Sequence, residues 1–359
     1  MLYLCTPMAK QRNHTFDFLC GLCIVRMVML HTFQYTGFTV LPWWKELMDW
    51  TFYLMCFFFF KAGYFNRSTS GPTLPYLWDR TKRLLVPYVT CGLIGNVLFW
   101  LFMWLLDGEY SRNPIRFLWI HTYKVSDFYG NAAMWFLFSF YVMYIAVHFI
   151  GKAKGKGVTR WVWRALIFCL PLLSWWLWKE GNPLWMNLNN VAMGIFFFYL
   201  GHWWRVLTAH TGRRVEFVVS VAMLALFTVG NLCWHGVYTM HSNLFTGNPW
   251  GAVINTVLVV CGLSGLFLSV RLPRVPLIGY IGEHSMVYFV LHFPLLYAYR
   301  NIALLNHISV RGSWADAVLM LTLVFVVCTL AVRWFERTPL LSGRWPKKAP
   351  APKGSPPAP

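Results

Sequence analysis

Charge is scarce in this chain, and acidic side chains are the scarcest kind. Charged residues make up 12% of the 359 residues, with 12 Asp and Glu against 31 Lys and Arg. A soluble domain is about 25% charged. Hydrophobic residues make up 58% of the chain. This composition excludes an ordinary soluble protein and indicates a polytopic membrane protein, because apolar runs cover nearly the whole chain and leave no stretch for a separate globular domain.

Paired cysteines are lacking as well. The nine cysteines are scattered, and most lie inside apolar runs, where a thiol behaves as a small hydrophobe. Cys20 and Cys23 form a CxxC pattern, but no second pair lies near it. We therefore expect no disulfide framework, no redox centre and no metal site.

Ten apolar segments predict an all-α fold of about ten transmembrane helices. They cover about 17–37, 48–65, 85–106, 131–150, 161–178, 186–204, 215–235, 249–270, 276–298 and 314–334. The first segment contains Arg26 and no cleavage site follows it, so we expect a retained span and not a signal peptide. These spans form one predicted domain, residues 1–340, and residues 341–359 form a disordered cytoplasmic tail rich in Pro, Ala and Lys.

The Lys and Arg residues concentrate in loops at alternate span ends. The loop over 236–248, on the opposite side, has no Lys or Arg. The positive-inside rule then places both termini in the cytoplasm and accounts for the net charge of +19 without a nucleic-acid partner. The partner that this composition does require is the lipid bilayer.

The first span carries ionisable residues, which are costly in a membrane and usually face a protein interior or a cavity. At about 100° per residue, Asp17 lies within about 40° of His31 on one helical face, with about 21 Å of rise between them. Cys20 shares that face, whereas Arg26 is rotated by about 140° and is predicted to point elsewhere. An imidazole in this position is suited to take a proton from a hydroxyl group. The alternative is a buried histidine that bonds to a neighbouring helix.

Two further groups of polar residues stand out. Arg80 and Arg83 are three positions apart, so on a helix they share a face that suits phosphate oxygens, although a basic loop end that fixes topology is the simpler interpretation. Ser285 and His292 lie in the ninth span, where about 10 Å of rise makes them too distant for a nucleophile pair. Structural hydrogen bonds are the simpler interpretation there. Lys61, at the end of the second span, is expected to reach the interface.

Taken in order, these motifs resemble the acyltransferase 3 family of integral-membrane acyltransferases over about residues 12–340. The residues that match are Asp17, Leu19, Gly21 and His31; Phe58–Phe60, Gly63 and Tyr64; Arg80 and Arg83; Trp135, Phe136 and Leu137; Ile281, Gly282, Ser285, Tyr288, Leu291, His292 and Pro294; and Glu336 and Pro339.

The resemblance implies transfer of an acyl group, commonly acetyl, from cytoplasmic acyl-coenzyme A to a hydroxyl of a saccharide or other cell-envelope acceptor. It implies His31 as general base or transient acyl carrier, with Asp17 in the catalytic set, and Arg80 and Arg83 at the donor's phosphates. Acyl-CoA is then a co-substrate, no metal is needed, and the bacterial cytoplasmic (inner) membrane is the expected location. The remaining motif residues are expected to bind substrate or support the fold: Ser285, His292, Trp135 and Glu336.

One position departs from the family pattern. The family usually has an arginine eleven residues before the histidine, and Cys20 stands there in this chain. Lys61 is a candidate for the missing cation. A transporter or flippase that uses the same polar cavity is the alternative function, although no internal repeat of the kind found in many transporters is visible. A sensor without activity is a third possibility.

Overall fold

The computed structural model describes residues 13–66, 71–107, 115, 119, 122–123, 126–153, 155–181, 184–270, 272–273 and 275–346. Helices occupy the positions of all ten predicted spans. Their bounds are α1 His14–Thr36, α2 Pro42–Trp50, α3 Leu54–Phe65, α4 Thr73–Arg80, α5 Val86–Asp107, α6 Trp135–Ala153, α7 Val158–Phe168, α8 Leu170–Lys179, α9 Asn189–Thr208, α10 Arg213–Cys233, α11 Pro249–Val270, α12 Pro276–Glu283, α13 Ser285–Leu305, α14 Trp314–Arg337 and α15 Pro339–Ser342.

Seven helices among the described residues are long and apolar enough to cross a membrane. They correspond to the first, third, fourth, fifth, seventh, eighth and tenth predicted spans. An all-α polytopic membrane protein is therefore confirmed in its coarse form. The count of ten crossings and the cytoplasmic position of both termini remain predictions.

Local sequence sets where the first helix begins and ends. The Asn13 side chain accepts hydrogen bonds from the amides of Thr15 and Phe16 at 3.1 and 3.3 Å, which caps α1. Gly37 ends the helix with a φ of 80°, a left-handed conformation that glycine adopts without steric cost. Because α1 ends at Thr36, His31 lies close to the C-terminal end of its helix.

Several predicted spans are interrupted. The second is divided at Thr51–Tyr53 into α2 and α3, and the ninth is divided at His284 into α12 and α13. The third starts earlier than predicted, because α4 runs into α5 through a five-residue π-helical segment, Thr81–Leu85. Hydropathy detects none of these interruptions, because it reports the average apolar character of a segment and not its local backbone conformation.

Glycines allow two helix pairs to approach closely. A Cβ at Gly282 would lie 1.7 Å from the carbonyl oxygen of Asp17, and one at Gly21 would lie 2.0 Å from that of Ile278. Helix α12 therefore packs backbone to backbone against the start of α1. Similarly, Gly63 of α3 has no room for a Cβ against the Phe198 backbone of α9. These contacts fix the position of α1 within the bundle.

An antiparallel hairpin, β1 Gly236–Thr239 and β2 Leu244–Gly247, lies in the loop predicted to face outward. It is a short β element within the helical fold. Its Tyr238 and Phe245 side chains are buried in the main core. Burial raises the pKa of Tyr238, so its hydroxyl stays protonated and donates to Asn243 at 3.1 Å. The hairpin thus forms part of the bundle and does not extend into solvent.

The first residues of the predicted tail pack against the bundle. Helix α15 spans the predicted boundary at 340, and Leu341 within it is buried. A Cβ at Gly343 would lie 2.6 Å from the backbone of Arg83, and Arg344 forms an ion pair with Glu336. Residues 347–359, the remainder of the predicted tail, lie outside the described residues.

Candidate active site

A cavity of about 490 Å³ lies beside the hairpin and is bounded by α1, α3 and α13. Its polar lining residues are Arg26, His31, Gln34, Asp49, Asp127, Trp135, Thr239 and His241. This volume falls within the range of small-molecule sites, and the mixture of apolar walls with a few convergent polar groups is typical of them. The cavity contains His31 and Trp135 from the predicted set of site residues.

His31 is half-buried in the cavity wall, and its ring has a defined orientation. Its Nδ1 lies 2.7 Å from Oε1 of Gln34, one turn later on α1. An amide oxygen can only accept a hydrogen bond, so Nδ1 carries a proton, and in the neutral ring Nε2 keeps its lone pair. A neutral imidazole with one nitrogen held in this way is suited to act as a general base through the other.

His292 packs directly against His31. Their rings are stacked with centroids 5.3 Å apart and an interplanar angle of 27°. Nδ1 of His292 lies 2.8 and 3.0 Å from the carbonyl oxygens of Phe289 and Tyr288, so it is the protonated nitrogen. No described residue forms a hydrogen bond with its buried Nε2. His292 is therefore a buried packing partner of His31 and is not exposed on the surface of its span.

Two residues that sequence reasoning did not select face His31 from loops. Asp127 and His241 line the cavity, with Oδ2 and Nε2 3.8 Å apart. The Trp135 ring meets His241 edge to face, with centroids 5.2 Å apart. In the sequence, the only sign of this pair was that His241 lies in a loop without Lys or Arg. No regular spacing connects Asp127 to His241, because the two residues are far apart in the chain. A carboxylate–histidine pair is suited to bind a hydroxyl group of a substrate.

Arg26 lines the same cavity as His31, contrary to the prediction that it points elsewhere. The rotation of about 140° describes the Cα–Cβ direction, whereas the long side chain extends from there to Thr51, where its Nε donates at 3.2 Å. Its Nη2 lies 3.5 Å from the carbonyl oxygen of Met48. Thr51 lies at the break between α2 and α3 and Met48 lies near the end of α2, so Arg26 links α1 to this end of α2.

Lys61 extends into the bundle and not toward the interface. Its Nζ lies 3.0 Å from Sγ of Cys20, which is fully buried. The cation of α3 therefore lies beside the position on α1 at which the family pattern has arginine. The structure therefore places Lys61, the candidate for the missing cation, in contact with Cys20, the residue that stands where the family pattern has arginine.

Asp17 lies far from His31. It is buried at the opposite end of α1, where its backbone packs against Gly282, and it is not among the residues that line the cavity. The helical rise of about 21 Å between the two residues agrees with this separation. The structure therefore gives Asp17 a position at the junction of α1 and α12 and no contact with the imidazole.

Arg80 and Arg83 make different contacts, although their spacing predicts a shared helical face. The Arg80 guanidinium lies over the rings of Tyr144 and Tyr76, with its central carbon 4.1 and 5.1 Å from their centroids. Arg83 is exposed and bonds to Asp79 at 2.8 Å. The π-helical segment that begins after Arg80 has more residues per turn, and it rotates the two side chains apart. Such segments occur frequently at functional sites.

The remaining predicted residues lie at the same end of the bundle as Arg83. Ser285 is the half-buried first residue of α13. Glu336 accepts from Nδ1 of His284 at 2.7 Å and from Nη1 of Arg344 at 2.6 Å. One carboxylate therefore connects α14 to the α12–α13 break and to the turn after α15.

The fold and its cavity define an integral-membrane protein with a histidine-containing site inside a helical bundle. A family model described as an acyltransferase domain matches residues 13–333, nearly the whole chain. No curated protein and no solved structure matches the chain. The chain belongs to the acyltransferase 3 family and is an acyltransferase.

Proposed function

We propose that this membrane acyltransferase moves an acyl group, with acetyl as the first candidate, from acyl-coenzyme A to a hydroxyl of a saccharide or other cell-envelope acceptor. The observation that carries the proposal is the geometry of His31. Its Nδ1 proton is held by Gln34 at 2.7 Å, its Nε2 keeps a lone pair, and the residue lines a cavity large enough for a sugar-sized ligand. The bacterial cytoplasmic (inner) membrane is the proposed location.

The proton balance of the reaction follows from this tautomer. Nε2 of His31 takes the proton of the acceptor hydroxyl while the hydroxyl oxygen bonds to the thioester carbonyl carbon. The carbon–sulfur bond then breaks, the ester remains on the acceptor, and the thiolate takes the proton from the imidazolium. Asp127 and His241, whose side chains lie 3.8 Å apart, bind other hydroxyl groups of the acceptor across the cavity.

A second route uses the same nitrogen as a nucleophile. Nε2 attacks the thioester carbonyl, the carbon–sulfur bond breaks, and coenzyme A leaves as the thiolate while the acyl group rests on the imidazole as an acyl-imidazolium. The acceptor hydroxyl then displaces the imidazole at the acyl carbon, and its proton ends on the thiolate. This route suits a donor and an acceptor that enter from opposite sides, because they need not be bound together. The proposed donor-side residues are Arg80, which directly precedes the π-helical segment, and Arg83, which lies within it.

The two routes are separated by one labelling experiment. Purified protein is incubated with radiolabelled acetyl-coenzyme A without acceptor, quenched, and tested for protein-bound label that neutral hydroxylamine removes. Label that is present in the wild type and absent in His31→Ala supports the acyl-carrier route. Turnover without such label supports the general-base route. Absence of donor binding, label and turnover would contradict the proposed function and favour a transporter.

A further inference from the structure

A cleft at the Arg83 end of the bundle has more positive than negative side chains among its described lining residues. Its volume is about 460 Å³, and three of its lining residues are arginines. The lining residues in the described part of the chain are Tyr280, His284, Val332, Arg333, Glu336, Arg337 and Arg344. Glu336 is the only carboxylate in this lining.

Glu336 is already committed on both oxygens. Oε1 bonds to His284 at 2.7 Å, and Oε2 pairs with Arg344 at 2.6 Å. Within the described part of the chain, no carboxylate lies at ion-pair distance from Arg333 or Arg337. These two arginines are four positions apart on α14, so they share one helical face, and both are exposed.

Buried and hydrogen-bonded contacts fix the geometry of one wall of the cleft. Leu341 is buried, Gly343 turns with a φ of 66° against the Arg83 backbone, and the Arg344 amide donates to Ser342 Oγ at 3.1 Å. These contacts hold Arg344 beside Glu336. They also place the cleft next to Arg83.

One helix runs from the cleft toward the histidine cavity. His284, in the cleft, comes immediately before α13, and His292, stacked on His31, lies eight positions later on that helix. The rise between them is about 12 Å. The extended arm that joins the thioester of coenzyme A to its phosphates is longer than this rise, so a donor with its phosphates in the cleft has enough length to approach the histidines.

We propose that Arg333, Arg337 and Arg344 form the binding site for the phosphate groups of the acyl donor's nucleotide. This inference rests on the proposed function, since it assumes a coenzyme A thioester as donor. Guanidinium groups bind phosphate through paired, charge-assisted hydrogen bonds, and coenzyme A presents three phosphate groups. Glu336 acts as a positioning residue that holds Arg344. The same chemistry would also bind the phosphate of an anionic lipid headgroup.

The test measures binding directly on the purified full-length protein. Coenzyme A and pantetheine, which lacks all the phosphates, are titrated by calorimetry into the wild type and Arg333→Gln/Arg337→Gln. We expect the double variant to bind coenzyme A about tenfold or more weakly and pantetheine with unchanged affinity. The matched control is Arg213→Gln/Arg214→Gln, which removes two exposed arginines at the start of α10. It should bind both ligands as the wild type does.

The possible results separate this inference from the proposed function. Wild-type affinity for coenzyme A in the α14 double variant would overturn the phosphate site and leave the proposed function standing. Failure of the wild type to bind coenzyme A, together with absence of acyl transfer, would overturn both. A double variant that retains less phosphatidylglycerol than the wild type when purified from mixed phosphatidylglycerol and phosphatidylcholine, but keeps its affinity for coenzyme A, would make the cleft a lipid site and overturn the proposal.

Discussion

The imidazole rings of His31 and His292 stack at a centroid distance of 5.3 Å and lie 27° from parallel. Each ring has its Nδ1 committed, to an amide oxygen for His31 and to backbone carbonyls for His292. Both Nε2 atoms therefore carry lone pairs. Of the two, only His31 lines the cavity, so His31 is the proposed base and His292 is its packing partner.

His31→Ala should lower acyl transfer by about 10² to 10⁴-fold, the usual contribution of a general base. The measurement is turnover of labelled acetyl-coenzyme A by purified protein with an envelope-glycan acceptor. His210→Ala, a substitution of an exposed histidine after α9, is the matched control and should keep wild-type activity. Wild-type turnover in a folded His31→Ala protein would remove His31 from the mechanism.

Gln34→Leu should lower the rate by about tenfold, because His31 Nδ1 loses the acceptor that fixes its tautomer. Gln34→Glu keeps an acceptor oxygen at the same position and should retain more activity than Gln34→Leu. Initial rates at saturating donor measure both. Equal rates in the two variants would show that the contact does not orient the imidazole.

His241→Ala should raise the KM for the acceptor by about tenfold and leave the KM for the donor unchanged, since His241 faces the cavity beside Asp127. Ser242→Ala, which changes the exposed neighbour in the same loop, is the control. Separate titrations of the two substrates provide the measurement. A change in the donor's KM instead would place the hairpin on the donor side of the site.

Gly282→Ala should destabilise the bundle by about 1–3 kcal/mol, because a Cβ there would lie 1.7 Å from the Asp17 carbonyl oxygen. Gly279→Ala lies on the same short helix α12 and has no atom within 4 Å of its ideal Cβ. It should be stabilising by about 0.5–1 kcal/mol. Thermal unfolding in detergent compares the two. Equal melting temperatures would contradict the close packing of α1 and α12.

Lys61→Ala should lower acyl transfer by about tenfold or more, because it removes a cation from the bundle interior beside Cys20. Cys20→Arg in the Lys61→Ala background should restore part of the rate by supplying the cation from α1. The measurement is the rate of both variants relative to Lys61→Met/Cys20→Met, which has neither cation nor thiol. No recovery in the arginine variant would mean that Lys61 does not substitute for the arginine of the family pattern.

The sequence was sufficient for the helices and the class of protein, and it singled out His31, whose role stays a prediction. Apolar runs long enough to span a bilayer leave the backbone no alternative to helix, since only internal hydrogen bonds satisfy it there. The helices therefore lie where hydropathy predicts them, and spaced motifs from Asp17 to Pro339 identified the family. Each of these features is local: it depends on residues within one helix or one motif.

Only the tertiary structure decided which polar groups meet. Asp127 and His241 are joined to His31 by the folding of two loops over the bundle, and no periodicity within a helix connects them. The reach of a long side chain, and not the direction of its Cβ, brings Arg26 into the cavity. A π-helical segment separates Arg80 from Arg83, and buried contacts hold Arg344 against Glu336. Helical periodicity describes one element at a time, whereas a site depends on the packing of several.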